Sequence, residues 1–283
     1  MTEPAHDLLI RRILVALDAS AHSRAALEAA AVLAARLDAE LTGLFVTDRA
    51  VLRAAALPFT RVIDPLACAP RPFESAGVRR EFRVLAERAR RMFEAVAARA
   101  ETSATFRIVE GEVTAELLAA AAEADLLALG QSGHTEASRR KLGATARAVI
   151  ARVDVPVLVL RRGVRLDRPV LALYDASPAA ERALRMAAFL ARQDADSPLV
   201  VLVTGPDAAT IFARQRALIE RYGEEPPELH FRPLSDPSPA RVAHVAREER
   251  AGLLAGPAGA EALRADGLST LLASTECPIL LVR

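Results

Sequence analysis

The sequence predicts an α/β fold built from two tandem copies of one unit, each a five-stranded, mostly parallel sheet flanked by helices. Short apolar runs alternate with alanine-rich segments whose apolar residues recur at helical spacing, a pattern typical of βα units. The run from Ile13 to Ser20 is also echoed by the run from Val170 to Ser177, at an offset of 157 residues. The chain therefore contains an internal repeat.

Strands and helices alternate within each predicted copy. In the first copy we predict strands at Ile13–Leu17, Glu40–Val46, Thr105–Val109, Leu126–Leu129 and Val157–Leu160. The helices between them are predicted at His22–Leu37, Val78–Ala100, Thr114–Ala122 and Ala144–Arg152. The second copy predicts four helices as well, with strands at Val170–Leu173, Leu199–Val203, Leu229–Arg232, Leu253–Ala255 and Ile279–Val282.

The ends of the repeat define the expected domains. Pro156 and Pro278 open the two closing strands at an offset of 122, so the second copy is 35 residues shorter. We expect most of this difference to be the stretch from Asp48 to Ser75. The polar run from Arg162 to Arg168 predicts a linker, which gives domains 1–162 and 168–283.

Composition limits the classes of function. At 283 residues and 52% hydrophobic content the chain can bury a large core, and its net charge of +1 argues against a nucleic-acid partner. No apolar run reaches the ~18 residues of a membrane span, and residues 1–7 lack signal-peptide features. We therefore expect a cytoplasmic protein with no membrane partner. Cys68 and Cys277 lie far apart and are expected to be incidental thiols.

A glycine-rich loop is the main candidate for a functional site. Gly130-Gln131-Ser132-Gly133 directly follows a predicted buried strand, and Gly143 comes ten residues after Gly133 and opens a predicted helix. Glycines at such a place allow positive φ and let backbone N–H groups turn toward an anion, at which the following helix aims its positive dipole end. The pattern indicates a phosphate-binding site at the carboxyl end of the strand.

The order strand–Asp-x-Ser–helix, then strand–Gly-x2-Gly-x9-Gly–helix and a Pro-Val-Leu-Val-Leu strand, resembles the universal stress protein family. The resemblance covers nearly the whole chain as two tandem domains. It implies a Rossmann-like fold of the adenine nucleotide alpha hydrolase-like kind and a ligand that is ATP, with or without Mg, or a related adenine nucleotide. The implied contacts are Ala16, Leu17, Asp18, Val46, Leu129, Gly130, Ser132, Gly133, Gly143, Ala144 and Thr145.

Two departures from the family pattern affect this expectation. Ala144 stands where the family usually has a hydroxyl residue, and Thr145 next to it points about 100° away around the helix axis. One lost neutral hydrogen bond costs roughly 0.5–1.5 kcal/mol, which weakens nucleotide binding without abolishing it. In the second copy, Gly256 aligns with Gly130, but Pro257 lacks an N–H donor and Ala265 replaces Gly143. We expect this copy to bind nucleotide poorly and to act as a scaffold or regulatory partner.

Each signal also has a simpler structural interpretation. Asp18 and Ser20 suit a helix cap, and glycines often only end strands. No phosphate-binding Gly-Lys-Ser/Thr motif, dinucleotide fingerprint or Gly-x-Ser-x-Gly elbow is visible. We therefore expect a regulatory stress-response protein rather than an enzyme, with slow ATP hydrolysis left open. The alternatives are a nucleotide-free protein that acts through protein contacts alone, and a hydrolase or ligase of adenylated substrates.

The closing strands predict how the copies assemble. Pro156–Leu160 and Pro278–Val282 are apolar, and an exposed apolar edge strand tends to pair. Family members commonly pair through this strand, so the resemblance implies that the two copies pair within one chain around a pseudo-two-fold axis. We also expect two chains to associate as a homodimer.

Overall fold

The computed structural model of the protein describes residues 10–57, 60–63, 70–72, 75–131, 142–160, 169–192, 198–204, 228–275 and 277–283. The strands of its main sheet are β1 (Arg12–Leu17), β2 (Glu40–Asp48), β5 (Ala104–Gly111), β6 (Leu126–Gly130), β7 (Val157–Leu160), β8 (Val170–Tyr174), β9 (Leu199–Thr204), β10 (Leu229–Leu234), β11 (Leu253–Pro257) and β12 (Ile279–Val282). The helices are α1 (Ala21–Leu37), α2 (Arg49–Ala55), α3 (Ser75–Ala100), α4 (Val113–Ala121), α5 (Ala144–Ile150), α6 (Pro178–Arg192), α7 (Pro239–Glu248) and α8 (Ala265–Ser274).

These ten strands form one sheet in the order β10-β9-β8-β11-β12-β7-β6-β1-β2-β5. All strand pairs within each half are parallel. Counted outward from the β7–β12 pair, the two halves have equivalent strand orders, β7-β6-β1-β2-β5 and β12-β11-β8-β9-β10. Parallel strands need crossover connections, which the helices supply. The predicted α/β class, with a five-stranded parallel unit repeated twice, is confirmed.

The two halves meet through one antiparallel strand pair, as expected from the apolar closing strands. β12 pairs with β7, and Leu280 lies opposite Leu158. These two residues are counterparts in the repeat, so the pair lies on a pseudo-two-fold axis. On one face of the sheet Leu33 and its counterpart Leu190 pack over this seam. Because the seam is antiparallel, the carboxyl ends of the strands in the two halves point to opposite edges of the sheet.

Helices cover both faces of the sheet. Residues of α1, α3 and α6 pack on one face in a core with Ile13, Val15 and Ala128. Residues of α4, α5, α7 and α8 pack on the other face with Leu14, Leu127 and Leu129. Successive side chains of a strand point to opposite faces of the sheet. The side chains at a strand end therefore alternate between these two helical layers.

The stretch from Asp48 to Ser75 has structure that the sequence did not predict. β2 continues through Asp48, whose carboxylate Oδ1 accepts a hydrogen bond of 2.7 Å from the Ala50 N–H and so caps α2. Two short strands, β3 (Arg61–Ile63) and β4 (Pro70–Pro72), then form an antiparallel pair. The first copy therefore has five helices in its described part, not four. In the described part of the second copy there are three α-helices and a short 3-10 helix (Glu261–Leu263), and residues 205–227 between β9 and β10 lie outside the described part.

The strand register corrects the alignment of the two glycine loops. Leu126 pairs with Ile13, and Leu253 pairs with Val170, the counterpart of Ile13. Equivalent residues of β6 and β11 are therefore 127 apart (253 minus 126), not 126. Pro257 matches Gly130, and the expected match of Gly256 with Gly130 is wrong. The boundaries 1–162 and 168–283 stay a prediction, because residues 161–168 lie outside the described part.

Candidate functional site

The predicted ligand residues collect at the carboxyl ends of three neighbouring strands. β1 lies between β6 and β2, and Leu17 of β1 is in register with Phe45 of β2. Ala16, Leu17 and Asp18 thus end the central strand, with Val46 on one side and Gly130 on the other. After β1 the chain continues to β2 on one side of β1, and it later returns to β6 on the other side. The strand order therefore reverses beside β1, which is the switch point of this half of the sheet. Doubly wound sheets bind ligands in the crevice at such a point.

The turn after β1 is held by local hydrogen bonds. Asp18 Oδ1 accepts from the Ser20 N–H at 3.0 Å, and Ser20 Oγ caps α1 by accepting from the Ser23 N–H at 3.1 Å. Ala19 between them has a φ of 61°, in the left-handed region that residues other than glycine rarely adopt. The capping interpretation therefore holds for Ser20. Asp18 braces the same turn, and its carboxylate is only partly buried.

Gly130 is required by a close approach and not by its φ. A Cβ built on this residue would lie 2.7 Å from the carbonyl carbon of His22 and 2.9 Å from the backbone nitrogen of Ser23. The end of β6 therefore touches the backbone of the first turn of α1. Gly130 does not have a φ in the left-handed region, and Gly143 has a φ of −61°. Neither glycine uses the positive φ that its residue type allows.

Gly143 is joined to the end of β6 by a backbone hydrogen bond. Its N–H donates to the Gln131 carbonyl at 2.9 Å, and Gly143 is the N-cap residue of α5 without a side-chain cap. Ala144 and Thr145 follow in the first turn, and both are exposed. Thr145 is thus accessible, but it takes a different angular position from the one that Ala144 occupies.

Two side chains beside Gly130 carry buried polar atoms with no hydrogen-bond partner. Gln131 is fully buried, and both its amide oxygen and its amide nitrogen are unpaired. The third such atom is Nδ1 of His22, in the α1 turn that touches Gly130. Within the described ranges these are the only buried side-chain nitrogen and oxygen atoms without a partner. Leaving a buried polar group unpaired costs about 1–3 kcal/mol, so such groups point to a missing partner.

Sequence reasoning missed both of these residues. In the sequence Gln131 stands out only as part of the glycine run, and His22 only as the first residue of a predicted helix. The available signal was an amide side chain placed directly after a buried apolar strand, where an unpaired polar group is costly. Its burial depends on the packing of neighbouring elements, which the sequence does not show.

The second half keeps the turn but not the loop. Asp175 Oδ1 accepts from the Ser177 N–H at 2.9 Å, and Ala176 has a φ of 64°, as in the first half. However, Pro257 replaces Gly130, and the residue in the place of Gln131 is Ala258, whose N–H donates to Val282 as that of Gln131 does to Leu160. Ala265, expected to match Gly143, is the first residue of α8, after Arg264 at the N-cap.

Some of the predicted residues are not part of the described structure. Ser132, Gly133 and Cys68 lie outside the described ranges. Cys277 is described and buried, and burial raises the pKa of its thiol. Among the described residues, no helix is both long enough and apolar enough to cross a membrane, and no group of His, Cys, Asp or Glu is arranged to hold a metal ion.

The sheet topology and the residues at its strand ends define a tandem, doubly wound α/β protein whose candidate ligand site lies at the switch point of its first half. A profile of the universal stress protein family matches residues 9–161, just over half of the chain. The chain therefore belongs to the universal stress protein family.

Solved structures share the whole architecture. A universal stress protein from Archaeoglobus fulgidus DSM 4304 is 20% identical with a TM-score of 0.74, and the match covers 95% of this chain and 97% of that one. A functionally unknown protein from Pseudomonas aeruginosa PAO1 is 16% identical with a TM-score of 0.58, over 97% and 93% of the two chains. At these identities the likeness concerns the fold. No curated protein matches this chain significantly in sequence.

Proposed function

We propose that the first half binds an adenine nucleotide, ATP with Mg, at the switch-point crevice, and that the protein uses this binding for regulation in the stress response. The observation that carries the proposal is the set of unpaired buried polar atoms of Gln131 and His22 beside Gly130. A polar ligand in the crevice supplies the partners that these atoms lack. Membership of the universal stress protein family makes a nucleotide the preferred ligand.

The residues at the crevice fit a nucleotide. Ala16 and Val46 lie on the same face of the sheet and are both partly buried, which provides an apolar surface for a flat base. Gly130 and Gly143 bring backbone atoms close to the carboxyl end of β6. Asp18 keeps one carboxylate oxygen outside the Ser20 hydrogen bond and is available to a ligand hydroxyl. The proposed contacts remain those predicted from the sequence, with Ser132 and Gly133 included.

The proposal includes no catalytic step. Asp18 Oδ1 is occupied by the Ser20 amide, and this bond holds the carboxylate as part of a turn. We therefore propose a protein whose conformation or partner choice responds to bound nucleotide. Slow ATP hydrolysis is the alternative, and phosphate release from the purified protein with ATP and Mg measures it directly.

The test is calorimetric titration of the full chain with ATP and Mg, together with nucleotide extraction from the freshly purified protein. Asp18→Ala and Asp175→Ala form a matched pair, because each removes the same bond to a backbone N–H in the same kind of turn. We expect similar losses of stability for both variants but weaker ATP binding only for Asp18→Ala. Equal ATP binding by both variants would place the ligand elsewhere. A wild-type protein that carries no nucleotide and does not bind millimolar ATP would overturn the proposal.

A further inference from the structure

Gln131 has an unusual combination of burial and unsatisfied hydrogen-bonding capacity. The residue is fully buried, yet its amide group offers one acceptor and two donor hydrogens that pair with nothing in the described structure. Its backbone is firmly placed, because its N–H donates to Leu160 at 2.8 Å and its carbonyl accepts from Gly143 at 2.9 Å. The side chain is therefore held at a defined position rather than at a free loop tip.

The side chain of Gln131 belongs to the ligand face of the sheet. Leu127 and Leu129 of β6 pack in the core on the α4–α5 side, and Gln131 continues this alternation two residues further on. Ala16 and Val46 pack against the same core. Gln131 therefore lies at the same edge and on the same face as the residues proposed to contact the nucleoside.

We propose that Gln131 recognises the ribose of the bound nucleotide through hydrogen bonds to its hydroxyl groups. This inference rests on the proposed nucleotide site. A vicinal diol both donates and accepts, so it can satisfy the amide oxygen and the amide nitrogen together. A phosphoryl group only accepts, and its negative oxygens would face the Gln131 carbonyl oxygen without a proton between them.

The strand spacing separates Gln131 from the base. The base is proposed at Val46 on β2, and β2 and β6 lie on opposite sides of β1. Adjacent strands are about 4.8 Å apart, so the ends of β2 and β6 are about 10 Å apart. Gln131 is thus too far from the base and lies beneath the sugar. Nδ1 of His22 is the third unpaired buried atom, and it belongs to the first turn of α1, which lies against Gly130.

The experiment compares ATP, 2′-deoxy-ATP and 3′-deoxy-ATP, each with Mg, as ligands of the wild-type chain and of Gln131→Leu. Loss of a neutral hydrogen bond corresponds to about a 3- to 10-fold change in affinity. We expect wild type to bind at least one deoxy analogue about 3- to 10-fold more weakly than ATP. Gln131→Leu binds ATP as weakly as that analogue and no longer distinguishes the two. Gln131→Met, of similar length to Gln, is expected to behave in the same way.

A control separates recognition from stability. Thr275 is also buried, but its Oγ1 donates to the Leu271 carbonyl at 2.8 Å, so Thr275→Val removes a satisfied polar group far along the chain. We expect Thr275→Val to lower the melting temperature and leave the ATP to deoxy-ATP ratio unchanged. Gln131→Leu without ligand melts at or above the wild-type temperature.

The outcomes distinguish the inference from the proposed function. If wild type binds ATP and Gln131→Leu binds it equally well with the same discrimination, the ribose contact is refuted while the nucleotide site stands. If wild type binds none of the three nucleotides, both fail. Loss of the discrimination in both Gln131 variants, with ATP binding retained at lower affinity, supports the ribose contact.

Discussion

Replacing Gly130 with alanine tests whether the switch point depends on a backbone contact. The new Cβ would lie 2.7 Å from the His22 carbonyl carbon, 2.8 Å from its oxygen and 2.9 Å from the Ser23 nitrogen. All three are backbone atoms at the start of α1, so no side-chain rotation relieves the overlap. The end of β6 and the first turn of α1 must move apart by about 0.8 Å or more to reach an ordinary contact distance.

The expected loss of stability follows from the rigidity of these backbone contacts. Overpacking of a rigid site costs about 1–3 kcal/mol. For a chain of this size each kcal/mol lowers the melting temperature by roughly 2–4 °C, so we expect a decrease of roughly 2–12 °C. Gly256→Ala is the matched control, because its Cβ meets the flexible Leu263 Cδ1 at 2.6 Å and Leu173 Cβ at 3.1 Å. Its cost is expected at the lower end of the same range, about 1 kcal/mol, because the nearest atom is the end of a flexible side chain.

The assay is urea unfolding and thermal melting of the three variants Gly130→Ala, Gly256→Ala and Gly259→Ala beside wild type. A Cβ on Gly259 meets nothing within 4 Å, so this variant is expected to stay within about 0.5 kcal/mol of wild type. The order of destabilisation is Gly130, then Gly256, then Gly259. A Gly130→Ala variant as stable as Gly259→Ala would refute the argument that a steric contact fixes this glycine.

Two further predictions concern titrating groups. Glu112 caps α4 by accepting from the Thr114 N–H at 3.0 Å and from the Ala115 N–H at 2.7 Å, and these bonds, that to Ala115 first, lower the pKa of its carboxyl below 4.5. The stabilisation is complete above pH 4.5 and is lost as the pH falls through the lower folded-state pKa, so Glu112→Gln should flatten the fall in unfolding free energy below pH 4.5, measured by urea titrations from pH 7 to 3; parallel curves would contradict it. Because burial raises the pKa of the Cys277 thiol, we expect iodoacetamide to label this residue in the native protein far more slowly than in urea, and equal rates by mass spectrometry would show that the thiol is exposed.

The strands were the most predictable part of the fold. Val157–Leu160 and Ile279–Val282 were predicted with their observed ends, because each is a fully buried apolar run that follows a proline. The helix α2 was not predicted, since seven residues are too few to show a helical period. Its N-cap depends on the Asp48 side chain at the end of a strand that continues two residues beyond the predicted end at Val46.

The candidate site was predictable in position but not in detail. Asp18 and Gly130 fall at strand ends by simple chain order, and the parallel topology then brings them to one edge. The alignment of Gly256 with Gly130 failed because identical residue types suggested an equivalence that the hydrogen-bond register does not have. Gly256 faces Leu263 on one side of the sheet, while Gly130 faces α1 on the other. Which face a glycine occupies is decided by tertiary pairing.

The seam between Leu158 and Leu280 has a consequence for how the two halves can differ. A covalent link holds them at an effective concentration on the order of millimolar, so their pairing does not depend on how much protein is present. In an assembly of two identical chains, any substitution changes both sites together. Here Gly130 and Pro257 occupy equivalent positions and differ within one molecule. Each molecule thus contains one half with the glycine loop and one half without it, in a fixed ratio of one to one.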